Sequence, residues 1–357
     1  MNYEARLTKL QGGLDALEAQ ALLVTNATNV RYLTGFSGSN AQLLVTAHGA
    51  HFMTDGRYRA RARELVTNAG IAIYSNRLTD VLEPALKQAG IARLAVEGKT
   101  MTLAERDNLA RRIGEVELVT AKDPVEDLRR IKEPAEVEAL RAAIALGDET
   151  YTHILDRLQP GASERAVALE LEVHMRTSGA DEVAFEPIVG SGPLSAHIHH
   201  TPSERRFEKG DFVLLDFGAR VDGYCGDLTR TVVLGSPSEE QQRQYDAVLA
   251  ANATALAAME PGTECRAVDA VARRTVGEAG YDDFGHGLGH GVGLEVHEAP
   301  SFNRISEDVL APGMVMTNEP GLYLERTGGV RIEDCVMITE TGAEVLTSSP
   351  RDALTIV

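Results

Sequence analysis

The segment KGDFVLLDFGARVDGYCGDLTRTVVL, residues 209–234, predicts a β-hairpin with two acids in its strands. Apolar runs flank the turn signal Asp222-Gly223, and Asp216 and Asp227 interrupt those runs. The two acids are symmetric about the Val221-Asp222 pair, so we expect them to face each other with Cβ atoms roughly 4.5–5.5 Å apart. A buried carboxylate is costly unless it is paired or bound to a metal. The segment therefore predicts half of a cation site.

A second segment has the same plan: PGMVMTNEPGLYLERTGGVRIEDCVMI, residues 312–338. Its acids, Glu319 and Glu333, are symmetric about Arg326, which precedes a Thr-Gly-Gly turn. Any one such acid could be the solvated end of a strand. Four acids in two matching hairpins instead predict a site for two divalent cations, because adjacent carboxylates repel each other unless a cation lies between them.

The helices that precede these hairpins form an internal repeat. PGASERAVALELEVHMRTSGAD (160–181) and PGTECRAVDAVARRTVGEAGYD (261–282) align without a gap and share Pro-Gly, Arg-Ala-Val, Gly and Asp. Each predicts an amphipathic helix with a glycine stop, followed by a segment with glycine and histidine and then by an acid hairpin. We therefore predict a pseudo-two-fold unit with the metal site between its halves.

Length and composition limit the class of protein. A chain of 357 residues with 43% hydrophobic and 25% charged residues is typical of a two-domain globular protein. A net charge of −18 without a Lys/Arg patch argues against binding to nucleic acid. We see no signal peptide and no apolar run long enough for a membrane span. Three scattered cysteines favour a reducing compartment, so we expect a cytoplasmic protein.

The order of predicted elements gives two domains. Residues 1–123 alternate short strands with helices, with a turn region at NVRYLTG (29–35), and predict an α/β domain. Residues 124–357 predict an α+β domain. Its predicted helices cover residues 134–158, 163–178, 239–259 and 265–279. The third of these helices begins with a capping box formed by Ser238 and Gln241.

Two loops rich in glycine and histidine precede the hairpins. FGHGLGHGVGLEVHEAP (284–300) contains His286, His290 and His297, and its alternating glycines favour an extended backbone over a helix. GSGPLSAHIHHTP (190–202) contributes three more histidines, which are His197, His199 and His200. We expect one or two histidines of the first loop to bind metal or substrate. For each histidine of the second loop, a catalytic and a structural role are equally open.

A mixed set of carboxylates and imidazoles suits Mn²⁺, Co²⁺ or Zn²⁺. Two such ions can share a water, lower its pKa and polarise a carbonyl, which predicts hydrolysis without a protein nucleophile. The chain has no nucleophile elbow, no phosphate-binding loop of the Walker type and no dinucleotide fingerprint.

The motifs LLDFGA, DLTRT, GHGVGLEVHE, NEPGLYL and GGVRIED resemble those of the pita-bread metallopeptidases, which include methionine aminopeptidase, aminopeptidase P and prolidase. RYLTGFSGSNA and TDGRY in the first domain are similar to the proline-specific members. The resemblance covers essentially the whole chain. It implies an α/β N-terminal domain and a pita-bread catalytic domain. It also implies five metal ligands, which are Asp216, Asp227, His290, Glu319 and Glu333.

The resemblance further implies a role for each residue. Asp227 and Glu333 would bridge both metals, Asp216 would bind one, and His290 with Glu319 would bind the other. A bridging hydroxide would attack the scissile carbonyl, with Glu319 as general base. The catalytic set would be completed by His199 and His297, which stabilise the oxyanion, and by Arg331, which orients the carboxylates. His197 and His200 receive no role.

The resemblance leaves the substrate open between an Xaa-Pro dipeptide and a longer Xaa-Pro peptide. We favour the dipeptidase, with Arg304 as a candidate cation for the free carboxylate, although a solvated loop arginine is an equal alternative. A broader aminopeptidase, a creatinase-like amidinohydrolase and an inactive binding module are further alternatives. The complete ligand set argues against the last two. The resemblance also implies a homodimer in which the partner's loop near Phe36–Asn40 helps to close the pocket.

Overall fold

The computed structural model describes residues 1–357 and divides into two compact units, Met1–Arg129 and Arg130–Val357. This division lies close to the boundary that we placed between residues 123 and 124, which stays a prediction about the domains. None of the helices combines the length and the apolar character that a membrane span requires.

The first unit alternates strands and helices, as the pattern predicts for an α/β domain. Its helices are α1 (Tyr3–Gly12), α2 (Ala27–Thr34), α3 (Arg59–Leu65), α4 (Thr79–Gln88), α5 (Leu103–Ile113) and α6 (Glu126–Arg129). Its strands are β1 (Ala21–Val24), β2 (Gln42–Thr46), β3 (Gly49–Asp55), β4 (Gly70–Tyr74), β5 (Arg93–Glu97) and β6 (Glu117–Ala121). They form one mixed sheet in the order β4-β3-β2-β1-β5-β6.

Helix α2 is a correction to our expectation of a turn around NVRYLTG. The side chain of Asn26 accepts a hydrogen bond of 2.8 Å from the Thr28 amide, which caps the start of the helix. Gly35 ends it in a left-handed conformation. Val30 and Leu33 are fully buried. Capping and burial thus outweigh the low helix propensity of Asn, Thr and Val in this segment.

The second unit alternates paired helices with strand pairs. Its helices are α7 (Pro134–Leu155), α8 (Glu164–Thr177), α9 (Glu239–Ala258) and α10 (Cys265–Glu278). The strands of its first half are β7 (Glu182–Val183), β8 (Ile188–Ser191), β9 (Phe212–Phe217), β10 (Ala219–Val221), β11 (Tyr224–Cys225) and β12 (Leu228–Val233). The strands of its second half are β13 (Gly289–Gly291), β14 (Glu298–Phe302), β15 (Val315–Asn318), β16 (Gly321–Leu324), β17 (Gly328–Arg331) and β18 (Asp334–Thr339), followed by β19 (Gly342–Val345) and β20 (Thr355–Ile356).

The predicted helices of this unit are confirmed to within a few residues at each end, and so is the capping box of Ser238 with Gln241. Each half has an apolar cluster of its own. The first lies between α7, α8 and strands β8, β9 and β12, and the second lies under α9, α10 and strands β15 to β18. Two cores, each built by two helices and one acid hairpin, are consistent with the repeat in the sequence.

The register of the first hairpin differs from our expectation. Asp216 lies opposite Thr229, not opposite Asp227. The reason is the turn, because Val221 pairs with Tyr224, and Asp222 and Gly223 both have positive φ values, of 48° and 79°. The hairpin therefore folds about Asp222-Gly223, which displaces Asp227 from the place opposite Asp216 by two residues along its strand.

The second hairpin has the predicted register. Asn318 pairs with Asp334 in one ladder, and Gly321 pairs with Arg331 in the next. Glu319 and Glu333 therefore face each other where one ladder passes into the other.

Candidate metal centre

Both hairpins bring their acids to one buried place in the second unit. Carboxylate oxygens of Asp227 and Glu333 and a ring nitrogen of His290 all lie within 4.8 Å of one another. Nε2 of His290 is 3.3 Å from a carboxylate oxygen of Glu319 and 3.7 Å from one of Asp227. The charge of Asp216 acts on the carboxyl groups of both Asp227 and Glu333. The five predicted ligands therefore form one cluster.

The electrostatics of this cluster favour a cation. Burial and repulsion from Glu333, Asp216 and Glu319 raise the pKa of Asp227 well above its ordinary value. Burial and the neighbouring acids likewise raise the pKa of Glu333. In both carboxyl groups the ionised form is disfavoured in the absence of a positive charge beside it.

His290 presents one nitrogen to the acids. Its Nδ1 lies 3.1 Å from the Gly291 carbonyl oxygen and donates to it, and Nε2 faces Glu319 and Asp227 and donates to Glu319 in the metal-free chain. Burial alone would lower the pKa of His290, but Glu319 outweighs burial and raises it. The Nδ1–H···O=C contact is the type of support that orients metal-binding histidines.

An unsatisfied atom supports the assignment of a metal to this place. Oδ1 of Asp216 is buried and has no hydrogen-bond partner, whereas Oδ2 accepts a bond of 2.5 Å from Arg331. Buried carboxylate oxygens are rarely left without a partner. Four carboxylates with one imidazole are ligands that Mn²⁺, Co²⁺ and Zn²⁺ accept. The residues present fit a site for divalent cations.

Arg331 and Thr229 hold the acids from behind. Arg331 is buried, and it donates through Nη2 to Asp216 and through Nε to the Thr229 hydroxyl at 3.1 Å. That hydroxyl donates in turn to Glu333 at 2.6 Å. The predicted orienting arginine therefore lies beside the cluster. Thr229 was not predicted, although its register opposite Asp216 would have placed it there had the turn been assigned correctly.

Tyr323 is a second residue that the sequence did not reveal. Its hydroxyl accepts from Nη1 of Arg331 at 2.9 Å and lies 2.9 Å from Nε2 of His286. Burial raises the pKa of Tyr323 to about 12, so its hydroxyl stays protonated and donates to His286. Nδ1 of His286 then donates to the Gly287 carbonyl. Both nitrogens of His286 are thus engaged, and it is not available as a ligand.

The two predicted substrate histidines lie at the exposed rim of the cluster. The ring of His297 is 4.4 Å from that of His290, at 76° to it. Burial lowers the pKa of His297, and the charges of His290 and His199 lower it further. His199 is therefore close enough to His297 for the two charges to interact. The side of the cluster that carries these two rings therefore reaches the solvent.

His197 and His200, which lie in the same loop as His199, point away from the acid cluster. Nε2 of His200 is 2.8 Å from a carboxylate oxygen of Glu164, and the ring of His197 lies 5.8 Å from that of His200. His197 is exposed. Neither makes a hydrogen bond or a ring contact with the acid cluster.

Arg304 is engaged by an acid. Asp283 accepts from both Arg304 and Arg273, and Arg273 also donates to the carbonyl of His286. The Arg304 side chain remains 63% exposed. Its charge therefore serves a surface ion pair beside the glycine-rich loop.

Models of two known protein families together match most of the chain. Residues 138–340 match metallopeptidase family M24, and residues 6–131 match the creatinase/prolidase N-terminal domain. An uncharacterised peptidase of Bacillus subtilis (strain 168), YqhT, is 41% identical over 350 residues, which cover 98% of this chain and 99% of the relative.

Two solved structures are similar along their full length. The Xaa-Pro dipeptidase from Bacillus anthracis is 38% identical, with a TM-score of 0.97 and 100% of both chains covered. The X-Pro aminopeptidase from Thermotoga maritima MSB8 is 33% identical, with a TM-score of 0.90, and the match covers 96% of this chain and 99% of the other.

Proposed function

The chain belongs to metallopeptidase family M24 and carries a creatinase/prolidase N-terminal domain, and from this we propose that it is an Xaa-Pro dipeptidase with two divalent metal ions. The family and the fold predicted from the motifs are confirmed. The observation that carries the proposal is that carboxylate oxygens of Asp227 and Glu333 and a ring nitrogen of His290 lie within 4.8 Å of one another. The alternative of an inactive or metal-free relative would not require this set of donors.

The metal ions would be held by the carboxylates and the imidazole of the five clustered residues, which are Asp216, Asp227, His290, Glu319 and Glu333. When bound, two such ions lower the pKa of a water and polarise a carbonyl. The ions themselves would be Mn²⁺, Co²⁺ or Zn²⁺, because all three accept carboxylate and imidazole donors.

The chain's own groups would move the proton and bind the substrate. Burial acts against the ionised form of Glu319, but the hydrogen bond with His290 outweighs it and lowers the pKa of Glu319. Glu319 is therefore ionised at neutral pH and can accept the proton of the attacking water. His297, whose pKa is lowered, is neutral at that pH, so one ring nitrogen carries a proton and can donate to the oxyanion together with His199. Arg331 keeps Asp216 in place.

The preference for a dipeptide rests on overall similarity. The Xaa-Pro dipeptidase from Bacillus anthracis matches this chain without gaps in coverage. The alternative, an aminopeptidase that takes longer peptides, is favoured by one observation. Arg304, our candidate partner for a free prolyl carboxylate, is paired with Asp283.

The experiment is a comparison of two substrates with the Mn²⁺-loaded chain, an Xaa-Pro dipeptide and an Xaa-Pro-Xaa tripeptide, beside a chelated control. Cleavage of the dipeptide alone supports the proposal. Cleavage of the tripeptide, alone or with the dipeptide, would replace it with an aminopeptidase. Arg304→Gln tests the carboxylate contact, because it should raise KM for the dipeptide and leave KM for the tripeptide unchanged if Arg304 leaves Asp283 to bind substrate.

We also propose that the chain acts as a homodimer on short proline-containing peptides. The support is the resemblance of its first domain to those of proline-specific relatives, in which a partner's loop near Phe36–Asn40 would meet the pocket. Sedimentation velocity at micromolar concentration tests this proposal. A single species at the monomer mass of 38.4 kDa would contradict it.

A further inference from the structure

We propose that Glu164 is a positioning residue, which fixes the loop of residues 192–203 and thereby places His199 at the rim of the metal centre. This inference rests on the proposed function, because His199 matters only if the site binds and cleaves a peptide. Glu164 itself lies outside the acid cluster and would touch neither substrate nor metal.

The carboxylate of Glu164 is completely buried and makes five hydrogen bonds. One oxygen accepts from the Ser191 amide at 2.8 Å and from the Ser191 hydroxyl at 2.7 Å. The other accepts from the Ser203 amide at 3.0 Å, from the Ser203 hydroxyl at 2.6 Å and from Nε2 of His200 at 2.8 Å. A single side chain therefore holds both ends of the loop and one ring within it.

The loop that Glu164 holds contains three histidines. Ser191 ends strand β8, and Ser203 closes the segment in which His197, His199 and His200 lie. His200 is the neighbour of His199 along the chain, so the bond between its ring and Glu164 limits the backbone at His199 as well. The ring of His200 is turned toward Glu164, whereas the side chain of His199 is exposed and lies close enough to His297 for their charges to interact.

A second contact ties the start of the loop to the acid hairpin. The Ser195 hydroxyl accepts from the Gly329 amide at 2.8 Å and donates to the Gly192 carbonyl at 2.5 Å. A Cβ atom on Gly329 would overlap the Ser195 carbonyl. Gly329 belongs to β17, which ends at Arg331. The start of the loop is thus fixed to the hairpin, and Glu164 fixes the part that carries His199 and His200.

Glu164 is suited to this task because it remains ionised. Burial alone would raise its pKa, but the hydrogen bonds from Ser203, Ser191 and His200 outweigh burial and lower it. A glutamine of nearly the same size can accept through only one of its two terminal atoms. Its NH2 group can only donate, and it would face either the two donors of Ser191 or the three donors of Ser203 and His200. The loop would be released at that end.

A purely structural role for Glu164 is the alternative, since it is the first residue of α8 and its loss lowers stability in either case. The two roles differ in one respect. If Glu164 acts through His199, its removal should matter little in a chain that already lacks the His199 imidazole. If Glu164 only supports the fold, the two substitutions should lower kcat/KM independently, and the factor lost in the double variant should be the product of the two single factors.

The experiment compares four chains loaded with Mn²⁺ and assayed on an Xaa-Pro dipeptide: wild type, Glu164→Gln, His199→Ala and the double variant. We expect Glu164→Gln to lower kcat/KM about 10- to 100-fold, with the change in kcat, because a displacement of His199 by about 1 Å is enough for a loss of this size. The affinity for Mn²⁺ should change by less than about threefold, since Glu164 does not contact the acid cluster. In the His199→Ala background we expect the same substitution to change kcat/KM by less than about threefold.

Glu170→Gln is the matched control. Glu170 lies on the same helix and also accepts from a histidine, His153, at 2.7 Å, but it makes no contact with the loop. It should leave kcat/KM unchanged. Amide hydrogen exchange provides a readout apart from activity, since residues 192–203 should exchange faster in Glu164→Gln and at the wild-type rate in Glu170→Gln.

Two results would overturn the inference. One is a multiplicative loss in the double variant, and the other is a Glu164→Gln chain with wild-type kcat/KM and wild-type exchange in the loop. If Glu164→Gln does not fold, Ser203→Ala removes one donor from the same carboxylate and replaces it in the cycle. An inactive wild type would instead refute the proposed function, and the exchange rates would still decide whether Glu164 anchors the loop.

Discussion

At the scale of single residues, the acid cluster is a set of charges that the chain does not neutralise by itself. Arg331 and His290 are the cationic groups in contact with it, and they face four carboxylates. Asp227 and Glu333 are the members with the most strongly raised pKa values. Their proposed role as metal ligands and their effect on stability can therefore be tested separately.

Removing either of these two proposed metal ligands should abolish turnover. Asp227→Ala or Glu333→Ala should lower kcat by more than the roughly 10- to 100-fold that is typical of residues behind a metal ligand. Isothermal titration with Mn²⁺ should show loss of the tighter binding event in the same variants. A near-normal rate in either variant with Mn²⁺ present would refute the assignment of the site.

The metal-free chain should lose stability as the pH rises above the ordinary pKa values of Asp227 and Glu333. Asp227 and Glu333 have higher pKa values in the folded chain than their ordinary values of 3.8 and 4.5, so the folded state binds more protons above those values. Stability is then greatest below the ordinary pKa and falls toward the folded pKa. Urea denaturation of chelated protein at several pH values measures this. Asp227→Asn with Glu333→Gln should flatten the curve, and a rise in stability over this range would contradict the prediction.

Tyr323 tests the support behind the ligands. Tyr323→Phe removes the hydroxyl that joins Arg331 to His286, while the ring remains to fill the same space. We expect kcat/KM to fall about 10-fold, at the lower end of the range for groups that support metal ligands, because Tyr323 acts on Asp216 only through Arg331. The affinity for Mn²⁺ should change by a smaller factor. Tyr281→Phe, on a tyrosine outside the cluster, is the control. Equal effects of the two substitutions would show that the hydroxyl of Tyr323 has no special role.

At the scale of elements, the sequence predicts more of the second hairpin than of the first. Glu319 faces Glu333 as predicted, because the turn at residues 325–327 is centred on Arg326, the predicted centre of symmetry of the segment. Asp216 does not face Asp227, because a two-residue turn with two positive φ values displaces the centre by one position on each strand. Apolar runs locate a hairpin, whereas the turn conformation sets its register.

Contacts distant in sequence were beyond prediction for a related reason. The approach of Tyr323 to His286 and that of Glu164 to Ser203 depend on how separate elements pack. Helices α8 and α10 were predictable because their apolar spacing and end signals are local. The identity of the acidic ligands was also predictable, because an acid that interrupts an apolar strand stands out in the sequence whatever the register of the hairpin.

Close approach of strands gives a prediction for two glycines. A Cβ atom on Gly218 would overlap the Gly226 carbonyl across the hairpin, whereas one on Gly147 in α7 would meet nothing within 4 Å. We expect Gly218→Ala to lower the free energy of unfolding by about 1–3 kcal/mol or more. Gly147→Ala should raise it by about 0.5–1 kcal/mol, since alanine favours a helix interior. Urea denaturation measures both, and equal signs would contradict the comparison.

At the scale of the whole molecule, function and charge are divided unequally between the units. The first unit carries nearly equal numbers of acidic and basic residues, whereas the second carries about twice as many acidic as basic residues. All five proposed ligands belong to the second unit. Metal should therefore act on the stability of one unit more than on that of the other.

Calorimetry of the full chain can test this division. Mn²⁺ at 100 times its dissociation constant should stabilise the unit that binds it by about 2.7 kcal/mol. We expect one calorimetric transition to move to higher temperature and the other to stay in place. The chelated chain and Glu333→Ala are the controls. A single transition that moves as a whole would show that the two units unfold together.

The two-residue turn at Asp222-Gly223 limits how this chain can change in evolution. Many surface loops tolerate added residues at little cost in free energy. A single residue inserted here, if the strands re-paired around it, would shift the ladder by one place and turn every side chain of one strand to the opposite face. Asp216 and Asp227 could then no longer point to the same side. Descendants of this sequence should accordingly vary in length in surface loops outside the two acid hairpins sooner than between these two aspartates.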